Sequence, residues 1–317
     1  MNILAMVLTV LGLCLFEVIN SIDNAIINAE VLNTMQARAR RWFLFWGILF
    51  AVFVVRGVLP FLIVWATVPQ FTAVQAFMST LNSNPEVITA IEAAAPLLLI
   101  AGGTFLILLF FHWLFMEPKH FGLIGEKFFT KQGVWFYTVA SVFLTILVWV
   151  AIKRDPFMAF AAVIGSTAFF ITHGFKQNAE QQEKELMKPG LSDISKVLYL
   201  EIIDLTFSID GVLGAFAFTL AVPLILLGNG IGAIVVRQLT ISNIDKIKKY
   251  KYLKNGAMYS ILFLGAIMVL DAFGKEVPSY VSPLVTFGVV GFFFWKSRKE
   301  IGKEEKPAEK KEDKETE

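Results

Sequence analysis

The sequence predicts an all-α, polytopic bundle of membrane-spanning helices, and three observations carry that expectation. Of 317 residues, 56% are hydrophobic and only 17% charged, with 31 Phe, so lipid rather than water must solvate most of the surface. Apolar windows close to the ~20 residues a helix needs to cross hydrocarbon follow one another along the chain. Backbone groups in lipid must be satisfied within the segment, which favours helices for windows of this length.

The windows run over 3–27, 42–66, 93–115, 134–152, 157–175, 194–219, 221–239, 252–270 and 280–295, about nine spans. Basic residues cluster after every second one: Arg38, Arg40 and Arg41; Lys119, Lys127 and Lys131; Lys176, Lys184 and Lys188; Lys246, Lys248, Lys249 and Lys251. The loop 67–92 between the second and third windows has neither Lys nor Arg. The positive-inside rule then puts the N-terminus outside and the C-terminus in the cytoplasm, in a bacterial-type inner membrane. The expected organisation is a first transmembrane half at 1–175, a cytoplasmic linker at 176–193, a second half at 194–295 and a tail at 296–317. That tail mixes Lys and Glu with little that is apolar, so it is expected to be disordered.

A net charge of +2 with no basic patch gives no support to nucleic-acid binding. The single Cys14 excludes an internal disulfide framework or a thiolate cluster. Gly102-Gly103 and the glycines from Gly228 to Gly232 read as helix-packing positions rather than a phosphate loop.

Inside the first window the chain reads Glu17-Val-Ile-Asn20-Ser21-Ile-Asp23-Asn24, and inside the sixth Asp204-Leu-Thr-Phe207-Ser208-Ile-Asp210-Gly211. Both are an acid, three residues, Ser, one apolar residue and Asp, recurring about 187 residues apart. Each is followed by a window with an arginine in an apolar run, Arg56 and Arg237. Spans one and six differ by five, so the copies enter the membrane from opposite sides, the inverted repeat of many transporters with a midplane site. An Asp at a helix centre costs about 2.5–3.5 kcal/mol on insertion scales, which marks such acids as functional by default.

The two acids of each motif are six residues apart, about 120° off a common face. A local helix break at each motif is therefore expected, turning side chains and freed carbonyls to one cavity. Inversion predicts layers, Glu17 beside Asp210 and Asp23 beside Asp204. Glu17, Asn20, Ser21, Asp23, Asn24, Asp204, Ser208 and Asp210 form a hard-oxygen set suited to a transported divalent cation such as Mn²⁺, Mg²⁺ or Ca²⁺. Arg56 and Arg237 serve as counter-ions or gates, and four acids with two arginines leave two negative charges for one such ion. Glu201, one turn before Asp204, reads as a candidate entrance residue, and so does Asn229. The acids would exchange metal for protons.

At these residues the chain resembles the TerC family of integral membrane proteins. Glu17, Ser21, Asp23 and Asn24 match its first element and Asp204, Phe207 and Asp210 its second. Arg56 and Arg237 match the arginines after each element, and Asn229 an asparagine before the second arginine. The chain departs from the pattern at Asn20, where Leu is usual, and at Gly211, where Ser or Asn is usual. The resemblance implies a lysine-exporter-like fold and links to manganese export and tellurium resistance. It implies no enzyme and no bound cofactor, only a transported cation and the lipid bilayer as partners. Two other classes compete: an intramembrane aspartyl hydrolase, which needs two carboxylates sharing a proton, and a non-transporting scaffold for stress-response proteins. His112, Glu117, His173, Asp155 and Asp271 sit near span ends and read as interfacial polar residues.

Overall fold

The computed structural model describes residues 3–47, 50, 58, 61–62, 65, 71–75, 85–186, 192–242 and 247–315. Its architecture is all-α. The described helices are α1 (Ile3–Asn20), α2 (Ile22–Asn33), α3 (Ala37–Trp42) continued by a π-helical turn (Phe43–Gly47), α4 (Pro85–Met116), α5 (Glu126–Lys131), α6 (Trp135–Ile152), α7 (Pro156–Leu186), α8 (Asp193–Ala215), α9 (Val222–Ser242), α10 (Leu253–Ala272) and α11 (Val281–Glu315).

Among the described residues six helices are long and apolar enough to cross a membrane: Ile3–Asn20, Glu92–Met116, Trp135–Ile152, Pro156–Asn178, Val222–Leu239 and Leu253–Ala272. Three of the nine expected spans are missing from that set, each for its own reason. Most of 42–66 lies outside the described residues. Helix α8 spans the sixth window but carries Glu201, Asp204 and Asp210 within three turns. The apolar part of α11 ends at Trp295, too soon to span alone.

Burial sorts the helices. In the α4 span 78% of residues are buried, against 22% in α6, so α4 is the central post and α6 a peripheral helix with Val142, Ile146 and Trp149 turned outward. An exposed apolar face of that kind is what lipid covers. Helix α4 packs on α10 with backbone nearly touching backbone, since a Cβ on Gly103 would stand 2.9 Å from the carbonyl oxygen of Gly265. Small residues supply such crossings where the lipid gives no hydrophobic drive to associate. Phe105, Phe136 and Phe169 fill the space between α4, α6 and α7, while Trp113 packs on Tyr259 of α10.

Two helices overrun their expected ends. Helix α7 continues from the expected limit at 175 to Leu186, within the segment read as a linker. Helix α11 carries helical backbone to Glu315, where a disordered tail is expected. Lys and Glu keep water contact without leaving the helix and both have high helix propensity, so charge alone did not require an unfolded chain there.

Candidate functional site

The first motif straddles a break. Helix α1 ends at Asn20, Ser21 forms a turn with ψ near 0°, and α2 begins at Ile22. The interruption is slight, because Ser21 N–H still donates to the Glu17 carbonyl (3.0 Å) and Ala25 N–H to the Ser21 carbonyl (2.9 Å). The face of the helix therefore runs on across the turn. On it lie Glu17, Ser21, Asn24 and Asn28, at spacings of four, three and four. The second motif shows no break: α8 is continuous through Ser208 and Gly211, and Ser208 Oγ donates to its own helix at the Asp204 carbonyl (2.7 Å). The expected opening of that helix is not observed, since a hydroxyl that bonds back four residues satisfies the backbone rather than freeing it.

Two contacts set the register between the motifs. A Cβ on Gly211 would stand 2.8 Å from Glu17 Oε2 and 3.5 Å from Asn20 Nδ2. Seven residues later on one helix and seven earlier on the other, Asn24 Nδ2 donates to Asp204 Oδ1. The helices thus pass antiparallel, with Glu17 at the level of Asp210 and Gly211, and the Asp23–Asn24 pair at the level of Asp204, the layering that inversion predicts. The side chain of Asp23 lies outside the described residues, so its own contact with Asp204 does too.

Register and helical spacing together define a seam. The positions Glu17, Ser21, Asn24 and Asn28 oppose Gly211, Ser208, Asp204 and Glu201, which share one face of α8 at spacings of three and four. The seam is about 16 Å long at 1.5 Å per residue. Glu17, Ser21, Asn24 and Ser208 are buried along it. Ser21 Oγ donates to Glu17 Oε1 (2.8 Å), holding one carboxylate oxygen and leaving Oε2 toward Gly211. Asn24 Oδ1 and Asn28 Oδ1 are buried oxygens without a hydrogen-bond partner, as is Glu201 Oε1, which lies against Gly47 of the π-helical turn, and unsatisfied buried acceptors are costly enough to call for an explanation. Sequence reading missed Asn28, although its i+4 spacing from Asn24 was the available signal.

Glu17 is also positioned from behind. Helix α9 crosses α1 at Gly228 and Gly232, and a Cβ on Gly232 would stand 2.6 Å from the Glu17 Cβ. Asn229, between those glycines, is fully buried with neither side-chain atom hydrogen-bonded. Gly211 has a matching explanation: without a side chain it makes room for the carboxylate of the first motif.

Asp210 turns away from the seam. Its Oδ2 accepts from Lys176 Nζ on α7, a buried ion pair, while Oδ1 is buried without a hydrogen-bond partner. Lys176 had been read only as a loop charge, yet α7 stays helical beyond 175 and carries it one turn past His173. It is the cation that the structure seats on Asp210. Arg237 is coupled electrostatically to Glu201. Arg56 lies outside the described residues. Asp204 and Asp210, six residues apart, stay splayed toward α2 and α7. Among the described residues, which leave out the side chain of Asp23, no three His, Cys, Asp or Glu side chains converge on one point.

Next to Lys176 is a second polar group, where the C-terminal end of α4 and the start of α10 meet the middle of α7. The rings of His112 and His173 are 3.8 Å apart. Glu117 Oε1 lies 3.5 Å from His112 Nδ1, and its Oε2 2.9 Å from Lys254 Nζ. Burial pushes the Glu117 carboxyl up, but the adjacent His112 and the Lys254 charge outweigh it and hold the group well below the usual carboxylate range. Lys119 closes the end of α4 by donating to the carbonyls of Trp113 and Leu114, the latter at 2.7 Å. Its burial, opposed by Glu117 and Glu126, lowers its pKa to about 8. The interfacial reading of His112, Glu117 and His173 missed that three helices bring them together.

Residues 22–303 match the family model described as "Protein of unknown function (DUF475)". The chain belongs to the DUF475 family. No curated protein and no solved structure matches it. The DUF475 match begins at Ile22 and so takes in Asp23, Asn24, Asn28 and the whole of α8, the larger part of the seam.

Proposed function

We propose that this membrane protein carries a divalent metal cation across the bilayer along the seam between α1–α2 and α8. The observation that supports this most directly is the antiparallel meeting of the two motifs, Glu17 against Gly211 and Asn24 on Asp204, with unpartnered buried oxygens between and beyond. Glu17, Asn24, Asn28, Asp204 and Glu201 offer carboxylate and amide oxygens, donors that suit hard divalent ions. Donors strung along 16 Å at roughly one per helical turn suit an ion in passage, which must bind well enough to enter and loosely enough to leave. Manganese is the cargo that the TerC resemblance favours, and export the direction.

Lys176 has a part in this scheme. A tethered ammonium on Asp210 neutralises that acid while no cation is near, which limits the cost of a buried charge. The hydrolase alternative fits less well, because Asp204 and Asp210 accept from Asn24 and Lys176 on different helices and are not paired with each other.

The test is flux into proteoliposomes enclosing a manganese-sensitive dye. Wild-type protein is expected to give a signal that Glu17→Gln and Asp204→Asn abolish, with both variants still eluting as folded protein. Wild-type flux from those two variants overturns the proposal.

A further inference from the structure

Away from the polar seam, helices α1, α2, α9, α10 and α11 leave an apolar groove of about 370 Å³, with Leu15, Ile22, Leu239, Leu253, Phe287 and Phe294 among its walls. Every residue that lines it is apolar. Within a bilayer such a groove has no reason to close, and hydrocarbon chains are its natural filling.

One end of the groove is different. Ile247 and Leu253 are both wall residues, and the five residues between them run Lys248-Lys249-Tyr250-Lys251-Tyr252. Tyr250 stacks on Phe294 with ring centroids 4.9 Å apart, which pins this basic stretch to the rim. On α11 the wall positions Phe287, Gly291 and Phe294 continue at helical spacing to Arg298, one turn past the groove. Lys248 is engaged by Glu30 at 2.8 Å, whereas Lys249 and Arg298 are exposed. A dry apolar slot that ends under two solvent-facing cations is complementary to a molecule with a hydrocarbon chain and an anionic head.

We propose that the groove holds one acyl chain of an anionic phospholipid whose phosphate rests on Lys249 and Arg298. Leu15, Ile19 and Ile22 belong to the same helical segment as Glu17 and Ser21, so a seated chain braces the turn at Ser21 from its apolar side. The inference is independent of what the seam transports.

The test uses the full chain in detergent, with lipid retention read by native mass spectrometry and thermal midpoint read alongside, for phosphatidylglycerol and phosphatidylcholine of identical chains. Two cations at roughly a factor of five each give an expected preference of about 25-fold for the anionic lipid. Gly291→Phe should abolish retention of both lipids, because a Cβ there meets nothing within 4 Å and the ring can enter the groove. Lys249→Gln with Arg298→Gln changes only exposed residues and should remove the preference while leaving weak retention. Equal retention of the two lipids by the wild type overturns the proposal, as does a preference that survives both variants. A change of oligomeric mass in Gly291→Phe, with lipid retention unaltered, also overturns it and assigns the groove to a second copy of the chain.

Discussion

The two acidic motifs read almost alike as sequence, but their surroundings in the structure are opposite. In the first, the helix is interrupted, the serine is spent on a carboxylate, and glycines from two neighbouring helices crowd round that carboxylate. In the second, the helix is intact, the serine is spent on its own backbone, and the distal acid is taken by a lysine from a third helix. The difference teaches that a repeated motif sets where polar groups enter the membrane, while the neighbours decide what each one does there. The first copy presents a fixed acceptor; the second holds one acid at the seam and one in a salt bridge.

The sharpest way to break that contrast is to remove the lysine. Lys176→Met leaves Asp210 buried without its cation, and breaking one side of a buried pair costs about 3–5 kcal/mol. The midpoint of denaturant unfolding in detergent should fall accordingly, and Asp210→Asn added to Lys176→Met should recover most of the loss. A single variant as stable as the wild type would mean that the pair contributes nothing and that the two motifs differ less than their contacts show.

How much of this was legible in the sequence follows from the kind of information each feature needs. Helical architecture and the antiparallel pass that sets Glu17 level with Asp210 needed only window length, motif spacing and the five-span offset between the copies, all of which can be counted along the chain. The seam needed the choice of face. Comparing Glu17 with Asp23, six residues apart, suggested a broken helix, whereas Glu17, Ser21, Asn24 and Asn28 already share a face on a nearly regular one. Lys176 was hidden because a lysine after an apolar window is ordinarily an interfacial charge, and only the packing of α7 on α8 draws it to Asp210. The role of Gly211 was hidden for a related reason: an absent side chain acquires meaning only from what occupies its space.

The cluster beside Lys176 sharpens the comparison through pH. Glu117 has a folded pKa lowered from 4.5, so its stabilisation is fully present above that value and is lost as pH falls below it. Lys119 runs the other way. Its folded pKa of about 8 lies below 10.5, so the cost of keeping it charged is present below pH 8 and is relieved as pH rises from 8 to 10.5. Thermal midpoints of the wild type should therefore drop between pH 5 and pH 3 more than those of Glu117→Gln, with His112, His173 and Lys254 the titratable groups that face the site. Parallel curves for the two proteins would show that Glu117 is not held by these partners.

The smallest effect separates the serines. Ser21→Ala removes a hydrogen bond to a buried carboxylate, an interaction worth about 1.5–3 kcal/mol when one partner is charged. Ser208→Ala removes only a hydroxyl that bonds back into its own helix, which contributes little and often bends the helix slightly, so its stability should stay within about 0.5 kcal/mol of the wild type. Under the proposed transport, manganese flux is expected in the same order: Ser21→Ala should lower it, because Glu17 loses the donor that orients it, whereas Ser208→Ala should leave it unchanged. Equal loss from the two substitutions would return the motifs to equivalence and make Ser208 a direct participant in the seam, released from its carbonyl when a cation arrives.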